Sequence, residues 1–250
     1  MSAAALLGAI LIGLSLGLTG AGGSILTLPL LVYLAGVPPQ EAVPLSLLVV
    51  GSAALAGAWQ RARAGEIHAP AVIWFSISGM IGAAVGARFT HWIRPEILMI
   101  SFAILMLAVA VRMLVQSKDS VEPEADCRPL RCFAAGGWVG VLTGFLGVGG
   151  GFLLMPALQK FARLPVRVAT GTSLAIIAVN SAAGFFSHAG KTPIRWEIAA
   201  LFSSIAVLGV LTGGRFAKRI SPLRLRQSLA VLTLGIGLAI LVKSLMTNAF

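Results

Sequence analysis

Negative charge is what this 250-residue chain has least of. It carries eight Asp and Glu against nineteen Lys and Arg, and all eight acidic residues fall near the ends of apolar stretches or in one polar segment. With no carboxylate mid-span, the relay of a proton pump or cation transporter is missing, and so is a hard-oxygen cage for a cation. The two cysteines, Cys127 and Cys132, have no histidine beside them, so neither a metal site nor a cofactor is expected. Their expected cytoplasmic position makes them reduced thiols. Aromatic-rich RNA-binding patterns are also missing, so the net charge of +11 reads as topology signal and lipid contact, with no nucleic-acid partner. No Gly-x-Ser-x-Gly turn presents a serine, and Ser173 and His188 lie fifteen residues apart on one apparent span. This argues against an intramembrane hydrolase, and no catalytic residue is assigned. His188 reads as an interfacial, hydrogen-bonded side chain.

What the chain has in excess is apolar length. Hydrophobic residues make up 58% and charged residues 11%, against roughly a quarter charged in a globular domain. Apolar stretches run over 3–35, 43–59, 70–90, 97–116, 133–159, 168–187, 196–214 and 227–247. Most have the ~20 residues that a helix needs to cross a bilayer. The expectation is an all-α integral membrane protein of about eight apolar segments. Residues 1–20 lack the basic start of a signal peptide and belong to the repeat described next, so they read as mature structure. The polar segment 117–132 links an N-terminal membrane repeat, 1–116, to a C-terminal one, 133–250.

The two repeats are copies, offset by 127 residues. Gly17, Gly20, Gly22, Gly23, Leu26 and Pro29 align with Gly144, Gly147, Gly149, Gly150, Leu153 and Pro156. The register continues through Ser46/Ser173, Leu47/Leu174, Gly57/Gly184, Gly82/Gly209, Gly86/Gly213 and Arg88/Arg215. Many secondary transporters are built this way, with the substrate site at the repeat interface. Sidedness follows from counting cations. If each half crossed four times, alternate loops would share Lys and Arg as 10 and 9. If the first long stretch of each half breaks at its glycines and returns, the halves are inverted. One side then keeps only Arg88, Arg94, Lys191, Arg195 and Lys243, and the other collects fourteen. The positive-inside rule favours the inverted arrangement and puts the linker in the cytoplasm.

The strongest local signal is Gly20-Ala-Gly-Gly-Ser24 with its partner Gly147-Val-Gly-Gly-Gly151. Each glycine costs a helix about 1 kcal/mol relative to alanine, so Gly20, Gly22 and Gly23, and likewise Gly147, Gly149, Gly150 and Gly151, should break it. Broken backbone at membrane depth is tolerated only where it lines a cavity or is buried in protein. The residues after each break would start a short helix whose free N–H groups and dipole hold an anion near the midplane. The competing reading is close helix packing, which is the better account of Gly79, Gly82 and Gly86. Thr170-Gly-Thr172-Ser173, with Asn180 and the repeat-related Ser46, offers uncharged donors for an oxyanion. Against that, membrane hydroxyls often bond their own helix. Arg88 and Arg215 could steer anions, though snorkelling at the interface is commoner.

At its glycine blocks the sequence resembles the TauE/SafE family of sulfite and organosulfur anion exporters. The resemblance rests on Gly17-Leu-Thr-Gly-Ala-Gly-Gly-Ser-Ile-Leu-Thr-Leu-Pro29 and Gly144-Phe-Leu-Gly-Val-Gly-Gly-Gly-Phe-Leu-Leu-Met-Pro156. Thr170-Gly-Thr-Ser173 and Phe186-Ser-His-Ala-Gly190 to Ile194-Arg-Trp196 add to it, while Ile67-His-Ala69 departs from the pattern. It implies a multi-pass inner-membrane permease exporting a small sulfur-containing anion. The expected partners are that anion and membrane lipids, with a homodimer left open. An anion channel and a non-transporting assembly subunit are the alternatives.

Overall fold

The computed structural model describes residues 3–20, 35–90, 127–146, 151–188 and 195–217, with scattered helical residues within 23–31, 100–114 and 227–242. Among these there are helices and no strands. Seven helices have defined bounds: α1 (Ala3–Thr19), α2 (Pro39–Ala62), α3 (Ala69–Thr90), α4 (Pro129–Leu146), α5 (Gly151–Phe161), α6 (Val166–His188) and α7 (Trp196–Ala217). Proline opens α2 and α4, where its missing N–H would have no helical partner in any case. Among the described residues four helices are long and apolar enough to cross a membrane: Glu41–Ala62, Ala69–Gly86, Val166–Phe186 and Trp196–Phe216. The eleven residues of α5 reach only about 16 Å, half a bilayer core.

Some positions 127 residues apart share local geometry. Val37 N–H bonds the Leu31 carbonyl at 3.1 Å, and the repeat-related Leu164 N–H bonds Leu158 at 3.3 Å. Gly36 and its counterpart Arg163 both adopt left-handed backbone, at φ 65° and 50°. Helix pairing obeys the same exchange. α1 lies along α7 and α4 along α3, while the equivalent helices α2 and α6 lie against each other.

Glycines set the directions of these pairs. Gly13 abuts Ala206 and Gly17 abuts Val210, so α1 and α7 run parallel. Gly136 abuts Phe75 and Gly140 abuts Gly79, so α4 and α3 also run parallel. Gly57 meets Leu174 and Gly184 meets Leu47, so α2 and α6 run antiparallel. A methyl group at Gly140 would strike the Gly79 carbonyl, and one at Gly82 would strike that of Gly137. The close-packing role expected of Gly79 and Gly82 is therefore observed. Small residues bring the backbones together because lipid supplies no hydrophobic drive for helices to associate.

The core is a cluster of buried Ala, Leu, Ile and Val shared by both halves, with Phe75 and Phe202 as its largest members. Leu55, Ile81, Leu208 and other large apolar residues point outward, as lipid-facing surfaces do. Trp59 and Phe216 are exposed at one end of the bundle, Phe186 and Trp196 at the other. One expectation is corrected. Cys127 and Cys132 are not free thiols but a disulfide, with Cα atoms 5.9 Å apart. The chain turns into α4 at Pro129, which brings two cysteines five residues apart into bridging range.

Candidate functional site

Helix α1 stops where its glycines begin. Thr19 Oγ1 donates to the Ser15 carbonyl at 2.6 Å, and Gly20 (φ 72°) closes the helix with its N–H on Leu16 at 2.8 Å. A side chain at Gly20 would be strained by that φ and would meet Thr170 and Ser173 at 2.7–2.8 Å. The chain then doubles back, since Gly23 packs against Ile12 and Leu16, and Gly8 faces Leu30. The first long apolar stretch is thus a hairpin of helical segments. In the second half α4 ends at Leu146 and α5 starts at Gly151. Gly22, Gly147, Gly149 and Gly150, all expected at the site, lie outside the described residues, as does the side chain of His188.

The expected hydroxyl contacts take different positions. Ser24 is buried and partnered. Ser46 Oγ donates to the Val43 carbonyl of its own helix at 2.7 Å. Ser173 Oγ lies 2.9 Å from both the Gly20 and Thr170 carbonyl oxygens, tying α6 to the break in α1. Thr172 Oγ1 accepts the His68 N–H at 3.0 Å, holding the α2–α3 loop to α6. Gly171 leaves room for that loop, because a side chain there would run into the Glu66 carbonyl. Ser46 and Ser173 do not converge. The Leu47–Gly184 and Gly57–Leu174 crossings lie about 15 Å apart along α2, and the serines flank them on the outer sides. Replacing Ser173 by alanine strands the Gly20 carbonyl, so we expect a loss of about 1–2 kcal/mol, while Ser46→Ala stays within about 0.5 kcal/mol. Thermal unfolding of the detergent-solubilised protein checks the contrast.

Asn180 stands apart from these. It lines a small pocket, with room for about one water, together with Phe75 and Gly79 of α3, Gly136, Val139, Gly140 and Thr143 of α4, and Leu154 of α5. Its Oδ1 is buried without a hydrogen-bond partner. Gly79 and Gly51 sit near the middle of their spans, and Gly51 meets Ser181, the neighbour of Asn180, so the pocket lies at about mid-depth. Leu154 belongs to the first turn of α5, which brings that helix start to the pocket wall. The repeat-related positions are filled instead. Ala53 stands for Asn180, Ala206 for Gly79, Ala9 for Gly136, Ile12 for Val139 and Leu16 for Thr143, all of them fully buried. Among the described residues, the polar pocket of the second half thus corresponds to positions in the first half that are packed with Ala, Ile and Leu, with Thr27 standing for Leu154.

A further pair was not singled out by sequence reasoning. Arg61, at the end of α2, is 3% exposed and forms an ion pair with Glu66 at 2.5 Å. In the sequence both read as loop charges, and the only hint was that Arg61 closes an otherwise apolar helix. Among the described residues no three of His, Cys, Asp and Glu converge as metal ligands would. At the opposite end of the bundle Arg195 and Glu41, one from each half, pair at 3.1 Å.

The family model described as sulfite exporter TauE/SafE matches residues 5–240. A "Probable membrane transporter protein" of Xylella fastidiosa (strain 9a5c) is 34% identical over 209 residues, covering 82% of this chain and 78% of that protein. A second, from Xylella fastidiosa (strain Temecula1 / ATCC 700964), is 32% identical over 92% of this chain and 88% of its own. The "Probable membrane transporter protein YunE" of Bacillus subtilis (strain 168) is 26% identical over 82% of each chain.

Proposed function

Because the chain belongs to the TauE/SafE sulfite exporter family, we propose that this multi-pass membrane transporter exports one small anion at a time, sulfite or a small organosulfonate, across the inner membrane. The observation that carries the reading is the pocket at Asn180, beside the start of α5 and at mid-depth. The first-turn N–H groups of a helix have no partner within the helix and carry its positive dipole end. With the Asn180 Nδ2 they make a donor set that holds an oxyanion without a buried cation to trap it, while the Thr143 hydroxyl donates to the Gly140 carbonyl at 3.0 Å. The packed first-half positions support a single site displaced toward the second half, in place of a symmetric one shared by both breaks.

Helix directions support the inverted arrangement. The equivalent helices α2 and α6 run antiparallel, and the first segment doubles back, as two halves of opposite orientation would. Together with the cation asymmetry, this supports a cytoplasmic linker, against which the Cys127–Cys132 disulfide counts, since cytosolic thiols are ordinarily reduced. A membrane potential negative inside drives an anion outward by about 2.3 kcal/mol per charge per 100 mV, so export needs no coupling ion. Access alternates as the halves rock about the α2–α6 contact.

The test is uptake of sulfite, sulfoacetate, sulfate and acetate into proteoliposomes with and without an imposed potential. Saturable, potential-driven movement of the sulfur anions above acetate is expected. A unitary conductance would replace the carrier by a channel, and no flux of any anion would sink uncoupled export.

A further inference from the structure

Arg61 is the only charged residue buried among the described residues. Three things meet it. Its Nη1 holds the Glu66 carboxylate at 2.5 Å, and its Nη2 reaches the Gly17 carbonyl at 3.5 Å, one turn before the break in α1. Its Cβ and the Glu66 carbonyl bracket the point where Gly171 of α6 passes. The pair therefore sits where a loop of the first half, the broken end of α1 and the beginning of α6 seal together. It lies at the linker end of the bundle, because α3 and α4 start side by side and run parallel, and α4 follows the linker directly.

The duplication supplies an internal control. Features that the fold requires recur in both halves, as the glycine crossings and the Leu31 and Leu158 caps do. The register slips within this loop, between Gly57/Gly184 and Ile67/Ile194, and the second-half segment 185–193 contains no acidic residue, so no Glu stands there to repeat the pair. A feature present at one end only gives the scaffold a direction. A buried ion pair is also poor support for stability, since apolar replacements of similar volume commonly serve as well. What a guanidinium does well is grip a planar pair of oxygens, and a carboxylate and a sulfur oxyanion offer it the same face.

We infer that Arg61 is the cytoplasmic docking residue for the transported oxyanion, with Glu66 as its built-in substitute. Glu66 occupies the guanidinium while the linker-side mouth is shut. An arriving anion takes over Arg61 and releases Glu66, and with it the α2–α3 loop, which the His68–Thr172 bond and the backbone contact at Gly171 hold to α6. This rests on the transport reading and on a cytoplasmic linker.

The full-length protein and its variants are titrated with sodium sulfite by calorimetry and then assayed for sulfite flux. Glu66→Gln removes the competitor, so half-saturation should fall about tenfold, the step given by one charge-assisted contact. Glu66→Asp, which holds Arg61 less well, should shift the same way by less. Arg61→Gln combined with Glu66→Gln should lose the gain and bind more weakly than wild type. If Glu66→Gln does not fold, Glu66→Asp decides. If wild type carries sulfite and both Glu66 variants lower only the maximal rate, the pair is structural and the docking role is overturned while transport stands. If wild type moves no anion but Glu66→Gln still tightens sulfite binding through Arg61, docking stands and the carrier reading falls.

Discussion

Alanine at Gly140 is expected to cost most of the folded protein. A single methyl there runs into the carbonyl of Gly79, with the Gly79 Cα only 2.8 Å away, so the obstacle is backbone and no side chain can swing aside. α3 and α4 must separate along their whole parallel contact. Overpacking of this kind costs about 3 kcal/mol, a large part of the ~5–15 kcal/mol that holds a domain together. The measurable result is a collapse in monodisperse yield from detergent and a lowered unfolding temperature in what remains. Gly13→Ala, its repeat-related counterpart, strikes the Ala206 carbonyl and should do the same, whereas Gly235→Ala enters open space and should be silent. A Gly140→Ala protein that unfolds at the wild-type temperature would mean the crossing is looser than described.

The second large effect concerns transport. Asn180→Ala keeps the fold, because the amide Oδ1 has no protein partner to strand. It should nevertheless lower sulfite flux about 10- to 100-fold, the loss expected when a buried hydrogen bond to a charged group is removed, worth about 1.5–3 kcal/mol. The matched control is Ala53→Asn at the repeat-related position, which adds an amide among fully buried apolar residues and should produce no second site. Flux measured at several sulfite concentrations separates the outcomes. Equal flux from Asn180→Ala and wild type would remove the pocket from the pathway and send the search for the site to the glycine block at 147–150.

How much of this was legible beforehand depends on the kind of interaction. The break after Thr19 was readable because consecutive glycines destabilise a helix wherever they occur, and Gly20 adopts the left-handed backbone that glycine favours. Close packing at Gly79 and Gly82 was readable because helical spacing of small residues has few other uses within a membrane. The hydroxyls were not readable. Ser46 and Ser173 are one duplicated pair by sequence, yet one bonds its own helix alone and the other also reaches across 153 residues to Gly20. A repeat makes two positions equivalent, but depth in the bundle follows from which helices pair and in which direction, and antiparallel α2 and α6 carry the two serines apart.

The sequence by itself determined a duplicated, helical membrane chain with glycine breaks, because composition, spacing and register are properties of the chain alone. Only the tertiary structure decided where the pocket at Asn180 opens and where Arg61 finds its carboxylate. Those outcomes depend on whether Asn180 or Ala53 faces a given gap, and on how closely one loop approaches Gly171. Both are set by contacts between residues far apart in the chain, to which local pattern is blind.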